Sequence, residues 1–219
     1  YSNNTLHIFY SSDVDGNYEI YESIFDLNFN KIKENRLTYY ENDSILSDVF
    51  LEKGETIHIV WDDNVSSKHK IYYTNRNLYG EIINLNENKN VYNSNGESFN
   101  PKITLGAETL FITFRDNSSS YDQIYLTYKD LSSSYNNWVN PIKISDTLYI
   151  TEKPDISVID RDYLIVYSQK INITNKEIFL KRVDTIGPSL NIILNPGQFV
   201  KGGNLGVTLY LTEPVLIKP

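Results

Sequence analysis

The chain has 219 residues, with 28 acidic against 20 basic side chains, no cysteine, no methionine and 40% hydrophobic residues. This apolar content is enough for a packed core and excludes full disorder, while the absence of cysteine excludes disulfides, thiol nucleophiles and thiolate zinc sites. The net charge of −8 argues against a nucleic-acid partner, and no apolar run approaches the roughly 20 residues of a membrane-spanning helix.

A repeat with a spacing of 51 to 54 residues is the strongest pattern in the sequence. Its first strip aligns TLHIFYSSD at 5–13, TIHIVWDDN at 56–64, TLFITFRDN at 109–117 and YLIVYSQK at 163–170, with Leu6, Ile57, Leu110 and Leu164 at equivalent positions. The second strip is EIYESI from Glu19, KIYYTN from Lys70, QIYLTY from Gln123 and EIFLKR from Glu177. Two weaker strips are RLTYY from Arg36, NVYNS from Asn90 and IKISD from Ile142, then SDVFLEKG from Ser47, NPKITLGA from Asn100 and KPDISVID from Lys153. Each period therefore predicts four short strands.

The strips have the composition of β-strands rather than helices. They are rich in Ile, Val, Tyr, Phe and Thr, whereas the chain holds a single alanine, Ala107, and no long helical pattern. The runs from Ile57 and Leu110 are apolar on successive residues, so both faces of these strands are expected to contact protein. Four-stranded antiparallel units at this spacing are the signature of β-propeller blades. We therefore predict an all-β fold over residues 1–186, a propeller of about four blades or a partial propeller.

The repeat unit resembles that of sialidase-like, Asp-box-type propellers of secreted bacterial and archaeal proteins, over residues 5 to about 186. The matching segments are Pro101-Lys102-Ile103, Ile57 to Asp62, Ile71 to Thr74 and SSSYNNWVNPIKIS from Ser132. The family's Asp-box, S-x-D-x-G-x-x-W, is nowhere intact, and only Trp138 with its preceding Ser/Asn loop matches it. The resemblance implies a secreted propeller.

Two predictions compete for the C-terminal segment, residues 187–219. The fourth strip predicts the innermost strand of the blade that follows it, and the first blade lacks such a strand. In one prediction, 206–211 pairs beside 6–10 and closes the ring. In the other, NPGQFVKGGNLGVTLYLTEPV from Asn195 resembles the first strands of bacterial Ig-like domains, and the chain is a slice of a larger surface protein. Because methionine is absent, Tyr1 is expected to be a processed end or the edge of a fragment.

The hairpin after the first strip has oxygen ligands at alternating positions around Gly16. Asp13, Asp15, Asn17 and Glu19 resemble a short calcium loop, and calcium is the cofactor that the sequence suggests. An Asp-Gly hairpin turn explains the same residues without a metal. Both interpretations stay open.

Histidines and aromatic residues are assigned to packing rather than to catalysis. His7 and His58 are equivalent in the repeat, where the third period has Phe111, so they are predicted to pack within strands, and His69 to be exposed. The aromatic residues that recur in the strips are Trp61, Tyr72, Tyr73 and Tyr125. They could stack on sugar rings but are predicted to fill the space between blades. No Ser-His-Asp or H-E-x-x-H spacing occurs, and no catalytic residue is predicted.

Five N-x-[ST] sequons occur, at Asn3, Asn42, Asn64, Asn117 and Asn172. Three of them, Asn64, Asn117 and Asn172, lie in the link between the first and second strips of successive periods. A hairpin tip is exposed, so these asparagines are predicted to carry glycans on one rim. Asn and Ser are also favoured in turns for their own sake, which explains the pattern without glycosylation.

The sequence favours a non-enzymatic extracellular or cell-surface module, a scaffold for adhesion, for carbohydrate or protein binding, or for surface-lattice assembly. Expected partners are other copies of the chain, other cell-surface proteins or glycans. The alternative is a sialidase-like or other carbohydrate-active enzyme with its pocket on the propeller axis. Such an enzyme needs two convergent carboxylates, or a tyrosine nucleophile with a glutamate and an arginine cluster. Convergent carboxylates at the central face therefore favour the enzyme over the scaffold.

Overall fold

The computed structural model describes residues 4–53, 56–65, 67–78, 89–132, 137–145, 148–159, 162–172, 175–184, 190–194 and 207–211. Sixteen strands and no helix are present in these ranges. The strands form four antiparallel sheets of three or four strands and one two-stranded hairpin. The predicted all-β fold of a partial propeller is confirmed.

Each of the four sheets is one blade, with its strands paired in chain order. Blade 1 contains β1 (Thr5–Ser12), β2 (Glu19–Asp26) and β3 (Lys31–Arg36). Blade 2 contains β4 (Ser44–Leu51), β5 (Thr56–Val65), β6 (Lys68–Asn77) and β7 (Lys89–Asn90). Blade 3 contains β8 (Ser98–Gly106), β9 (Thr109–Asp116), β10 (Gln123–Asp130) and β11 (Ile142–Lys143). Blade 4 contains β12 (Thr151–Ile159), β13 (Asp162–Lys170) and β14 (Lys176–Asp184).

The chain divides into two compact units, residues 1–183 and 184–219. The blades make up the first unit. In the second unit β15 (Leu190–Leu194) pairs antiparallel with β16 (Val207–Leu211). Closure of the ring and the start of an Ig-like domain both stay predictions, as does the domain boundary at residue 186. Among the described residues, no helix is long and apolar enough to cross a membrane.

The strand registers identify the equivalent residues of blades 1 to 3. Leu6 pairs with Phe25, Ile57 with Arg76 and Leu110 with Lys129. These three pairs lie at the same place in their blades, so the predicted equivalence of Leu6, Ile57 and Leu110 is confirmed.

In blade 4 the predicted equivalence of Leu164 is wrong by one residue. Leu105 pairs with Leu110 in blade 3, and Val158 pairs with Tyr163 in blade 4. Tyr163 is therefore the residue that corresponds to Leu110. The stretch from Tyr163 is apolar on four successive residues, so hydrophobicity alone does not fix which face each residue occupies.

The third strip marks the crossover between blades rather than a strand. The outer strands β3, β7 and β11 end close to where this strip begins. The strip recurs because its backbone is anchored to the neighbouring strand. The amides of Leu37, Val91 and Ile144 donate to the carbonyls of Ile20, Ile71 and Ile124, at 2.7, 2.8 and 2.8 Å respectively.

A buried polar side chain at the start of β2, β6 and β10 holds the loop that leads to the next blade. Glu19 accepts a hydrogen bond from the amide of Tyr40 at 2.8 Å. Lys70 donates to the carbonyls of Ser94 and Gly96, and Gln123 donates to the carbonyl of Tyr149 at 3.1 Å. Each residue type therefore matches the backbone group that its own loop presents.

The core lies between successive blades. The forward face of a blade, which meets the next blade, is formed in blade 2 by Val60, Ile71 and Tyr73. The rear face, which meets the preceding blade, is formed in blade 3 by Leu110, Ile112 and Phe114. On each rear face a stacked aromatic pair joins the second strand to the third. The pairs are Tyr10–Tyr21, Trp61–Tyr72, Phe114–Tyr125 and Tyr167–Phe179, with ring centroids 5.8, 5.7, 6.0 and 5.8 Å apart.

A buried serine–aspartate hydrogen bond ties the first strand of a blade to the second. Ser98 Oγ donates to Asp116 Oδ2 at 2.6 Å, and Ser44 Oγ donates to Asp63 Oδ2 at 2.7 Å in blade 2. We expect Ser98→Ala to lower the free energy of unfolding by about 1.5–3 kcal/mol, because it leaves a buried carboxylate short of a donor.

Urea unfolding measures this loss. Ser132→Ala is the matched control, because Ser132 Oγ donates to Asp130 Oδ1 at 2.6 Å in an exposed pair. The control is expected to change stability by less than about 0.5 kcal/mol. Equal losses in the two variants would contradict the argument from burial.

Candidate functional site

The inner strands of blades 2, 3 and 4 carry a β-bulge at the same position. β8 lies against both β4 and β12, so these are the strands nearest the shared axis. Pairing with the second strand shifts by one residue at Ser47, at Asn100-Pro101 and at Lys153-Pro154. Asn100 and Lys153 have φ angles of 51° and 52°, which residues other than glycine seldom adopt. Bulges and strained backbone of this kind cluster at functional sites.

The bulges also correct the predicted alignment of the fourth strip. The residues that follow the bulge and pair with equivalent positions are Asp48, Lys102 and Asp155. The predicted match of Ser47 with Asn100 is therefore shifted by one residue. The extra residue lies at a different point of the strip in blade 2, and a sequence comparison without pairing information does not detect it.

Asp62, near the end of β5, contacts two of these bulges. Its Oδ2 lies 3.3 Å from Ser47 Oγ and accepts the amide of Asn100 at 3.3 Å, and its Oδ1 lies 3.1 Å from His69 Nδ1. Burial raises the pKa of Asp62 above its ordinary value, although these hydrogen bonds oppose the rise. A carboxyl with a raised pKa retains its proton closer to neutral pH, which is what a general acid needs.

Arg115 occupies the position of blade 3 that corresponds to Asp62 in blade 2. Its guanidinium carbon lies 4.5 Å from the centroid of the Phe99 ring, and its NH1 lies 3.2 Å from Asp122 Oδ2. The ring of Phe99 also contacts His69, with centroids 4.7 Å apart. Phe99 therefore lies between the Asp62–His69 pair and the arginine.

Glu152 immediately precedes the bulge of β12. Its side chain is 25% exposed and forms an ion pair with Lys176. The ammonium of Lys176, with Arg115 and Lys170 in support, lowers the pKa of Glu152 below its ordinary value. Asp62 and Glu152 thus belong to the blades on either side of blade 3, and their pKa values are shifted in opposite directions. Such a pair can provide one protonated and one ionised carboxyl at the same pH.

An open cleft of ≈ 460 Å³ lies beside the segment that leads into Glu152. It is lined by the rings of Tyr121 and Tyr149, and by Lys170 and Asn172 among others. The wall is held by hydrogen bonds, since the amide of Lys170 donates to the carbonyl of Ile150 at 3.0 Å and Gln123 holds Tyr149. Tyrosine offers a flat apolar face and a polar hydroxyl, which suits a sugar ring.

The residues of the predicted calcium loop are engaged by an arginine. The guanidinium of Arg36 donates to Asp15 Oδ2 at 2.7 Å and to Glu19 Oε1 at 2.8 Å. Asn17 Nδ2 donates to the carbonyl of Asn42 at 2.8 Å. Across the described ranges, no group of three or more acidic or histidine side chains is arranged to hold a metal. Calcium binding by Asp13, Asp15, Asn17 and Glu19 stays a prediction.

The equivalent histidines link the second strand of a blade to the third. His7 Nδ1 lies 2.7 Å from Glu22 Oε1, and His58 Nδ1 lies 2.8 Å from the hydroxyl of Tyr73. His58 and Tyr73 are buried. Their role is packing between blades, as the sequence predicts, whereas the predicted exposure of His69 omitted its contact with Asp62.

The predicted glycosylation sites differ in environment. Asn42 and Asn172 are exposed. The amide nitrogen of Asn117, where a glycan attaches, lies 3.3 Å from Glu97 Oε2, and Asn64 is only partly exposed in β5. Asn3 lies outside the described residues. Glycosylation of all five asparagines stays a prediction.

The fold is similar to that of solved glycoside hydrolases. A thermostable family-43 glycoside hydrolase is 14% identical, with a TM-score of 0.52, over 99% of this chain and 74% of that chain. An endo-1,4-beta-xylanase from Bacteroides thetaiotaomicron is 10% identical, with a TM-score of 0.50, over 99% of this chain and 75% of that chain. A GH32 beta-fructofuranosidase from Bombyx mori is 12% identical, with a TM-score of 0.51, over 84% of this chain and 44% of that chain. No family model and no curated protein matches the sequence.

These neighbours contradict the expectation of a non-enzymatic scaffold, because they are β-propeller enzymes that act on carbohydrates. At such identities the likeness establishes the propeller fold. A sialidase-type repeat and an Ig-like domain are not confirmed by it.

The sequence did not single out Asp62 or Glu152, because acidic residues are frequent throughout the chain and nothing local distinguishes these two. A usable signal was present in the prolines of the fourth strip, Pro101 and Pro154. Proline inside a strand pattern indicates a bulge or an edge, and both bulges adjoin the candidate carboxyls.

Proposed function

We propose that this chain is the propeller part of a glycoside hydrolase that acts on neutral polysaccharides. The observation that carries the proposal is the pair of carboxyls, Asp62 and Glu152, at bulged inner strands, with pKa values shifted apart. Glycoside hydrolysis uses one protonated and one ionised carboxyl. The propeller fold that the chain shares with glycoside hydrolases supports the same assignment.

The two carboxyls divide the chemistry. Asp62, whose burial favours the protonated form, donates its proton to the leaving oxygen as the glycosidic C–O bond breaks. Glu152, kept ionised by Lys176, takes the proton of the attacking water or itself attacks the anomeric carbon. The cleft at Tyr121 and Tyr149 binds the sugar units that flank the scissile bond.

A neutral substrate fits the charge of the chain. A net charge of −8 repels an anionic polysaccharide. Among the neighbours, one is an endo-1,4-beta-xylanase and one is a beta-fructofuranosidase, so xylan and fructan are the first substrates to test. The extracellular or cell-surface location expected from the composition would place the chain where such polymers occur.

Binding of oligosaccharides to the cleft tests the proposal. We expect the full chain to bind xylohexaose or an inulin oligosaccharide, and Tyr149→Ala to weaken binding by roughly threefold to tenfold, because one aromatic contact contributes about 0.5–1.5 kcal/mol. Isothermal titration calorimetry measures the change.

The control is Tyr39→Ala, which removes an exposed tyrosine of blade 1 that lies over Arg36. This variant is expected to bind as the wild type does. The proposal is wrong if neither oligosaccharide binds, or if the two variants lose affinity equally.

A further inference from the structure

The faces at the two ends of the blade array are exposed, although the equivalent faces inside it are buried. On the forward face of blade 4, Ile178 is 84% and Leu180 is 63% exposed. Their equivalents in blade 2, Ile71 and Tyr73, are 0% and 1% exposed. On the rear face of blade 1, Ile8 is 43% exposed, while its equivalent Ile59 in blade 2 is 1% exposed. Each end therefore displays apolar side chains that the repeat otherwise buries against a neighbouring blade.

These two faces are of opposite kind. Every interface inside the array joins the forward face of one blade to the rear face of the next. Ile20 of blade 1 packs with Ile57, Ile59 and Trp61 of blade 2. Ile124 and Leu126 of blade 3 pack with Tyr163, Ile165 and Tyr167 of blade 4. Since Ile178 corresponds to Ile124, and Ile8 to Ile165, the two end faces have the composition of partners.

One position tests this complementarity residue by residue. Between blades 1 and 2 it holds an ion pair of Glu22 with Arg76. Between blades 2 and 3 it holds a cation–π contact, with Lys129 Nζ 5.4 Å from the centroid of Tyr73.

Between blades 3 and 4 the same position is apolar, with Leu126 in the cluster against which Val183 packs. Each partner is thus matched in chemistry to the residue that it faces. At the array ends the corresponding residues are Leu180 and Phe25, and both are apolar. A blade with a charged rear face, such as blade 2 with Arg76, does not suit Leu180, whereas blade 1 does.

We propose that the forward face of blade 4 docks onto the rear face of blade 1 of a second copy of this chain, head to tail. Ile178 and Leu180 of one copy then contact Ile8 and Phe25 of the other. The contact is heterologous, since it joins two different surfaces, and each copy retains one free face of each kind after a single contact. Association therefore continues beyond the dimer as concentration rises.

Sedimentation equilibrium of the full chain across about 10–500 µM tests this proposal, at salt that screens the net charge. The wild type is expected to rise in average mass above the 25.4 kDa of one chain. Ile178→Glu and Ile8→Lys, made separately, are each expected to remain monomeric, because a charge is placed in an apolar contact. Ile32→Glu is the control, since Ile32 is an exposed isoleucine on the outer strand β3 and is expected to leave association unchanged.

Mixing the two monomeric variants gives the decisive result. Ile178→Glu retains a functional rear face and Ile8→Lys retains a functional forward face, so the mixture is expected to form a one-to-one dimer and nothing larger. A wild type that stays monomeric at every concentration overturns the proposal. So does association that survives Ile178→Glu, or a mixture that remains monomeric, and in either case a blade of another chain is the better partner. Circular dichroism of each variant verifies that the blades are folded.

Discussion

Replacement of Glu152 by glutamine is expected to lower kcat/KM for the hydrolysis of a polysaccharide substrate by about 10²–10⁴-fold, the usual contribution of a positioned acid or base. The amide has no charge with which to take a proton or attack the anomeric carbon. The substitution preserves size, so the ion pair with Lys176 is lost without a change in packing. Release of reducing sugar measures the effect.

Asp62→Asn is expected to cause a loss of similar size, for the opposite reason, because the amide has no acidic proton to give. In the wild type, activity requires Glu152 ionised and Asp62 protonated. Activity is therefore lost as pH falls through the lowered pKa of Glu152, and again as pH rises through the raised pKa of Asp62. Asp155→Asn is the control, since Asp155 is an exposed carboxylate on β12, three residues from Glu152. Full activity in Glu152→Gln excludes the assigned mechanism.

Arg76→Ala is expected to lower the free energy of unfolding by about 3–5 kcal/mol, because it leaves a buried carboxylate without its counter-charge. Arg76 and Glu22 are 3% and 0% exposed and join blade 2 to blade 1. His7 and Asn35 also contact Glu22, each at 2.7 Å, but neither supplies a permanent positive charge. Urea unfolding monitored by tryptophan fluorescence measures the loss, because Trp61 lies at the same blade interface.

Two further variants separate the burial of charge from the loss of packing. Glu22→Gln combined with Arg76→Ala is expected to be more stable than Arg76→Ala alone, because no uncompensated charge remains. Lys31→Ala removes an exposed ion pair with Glu34 and is expected to cost less than about 1 kcal/mol. Equal losses for Arg76→Ala and Lys31→Ala contradict the argument.

The blade repeat could be predicted from the sequence because its strands are buried on both faces. Apolar residues on successive positions, as in the run from Ile57, repeat at a fixed interval and need no knowledge of pairing. The same property hid the register of blade 4, since Tyr163 and Leu164 are both apolar and only hydrogen-bond pairing distinguishes them. The position of the third strip was recoverable, but its role in the crossover depended on backbone hydrogen bonds.

The candidate site could not be predicted in the same way, because its parts come from different blades. Asp62 lies on β5, the amide that it accepts belongs to Asn100 on β8, and Glu152 begins β12. Burial and neighbouring charge, rather than residue type, distinguish these carboxyls from the other acidic residues. Sequence reasoning weighed the apparent absence of a catalytic pattern too heavily and therefore favoured a scaffold.

The polar side chains at the start of β2, β6 and β10 make the blades individual rather than interchangeable. Transplanting blade 2 into the place of blade 1 would point the ammonium of Lys70 at the amide of Tyr40, a donor facing a donor. Duplication of an ancestral blade must therefore have been followed by paired changes in strand and loop. A designer who lengthens or reorders this ring has to move each anchor together with the loop that it binds.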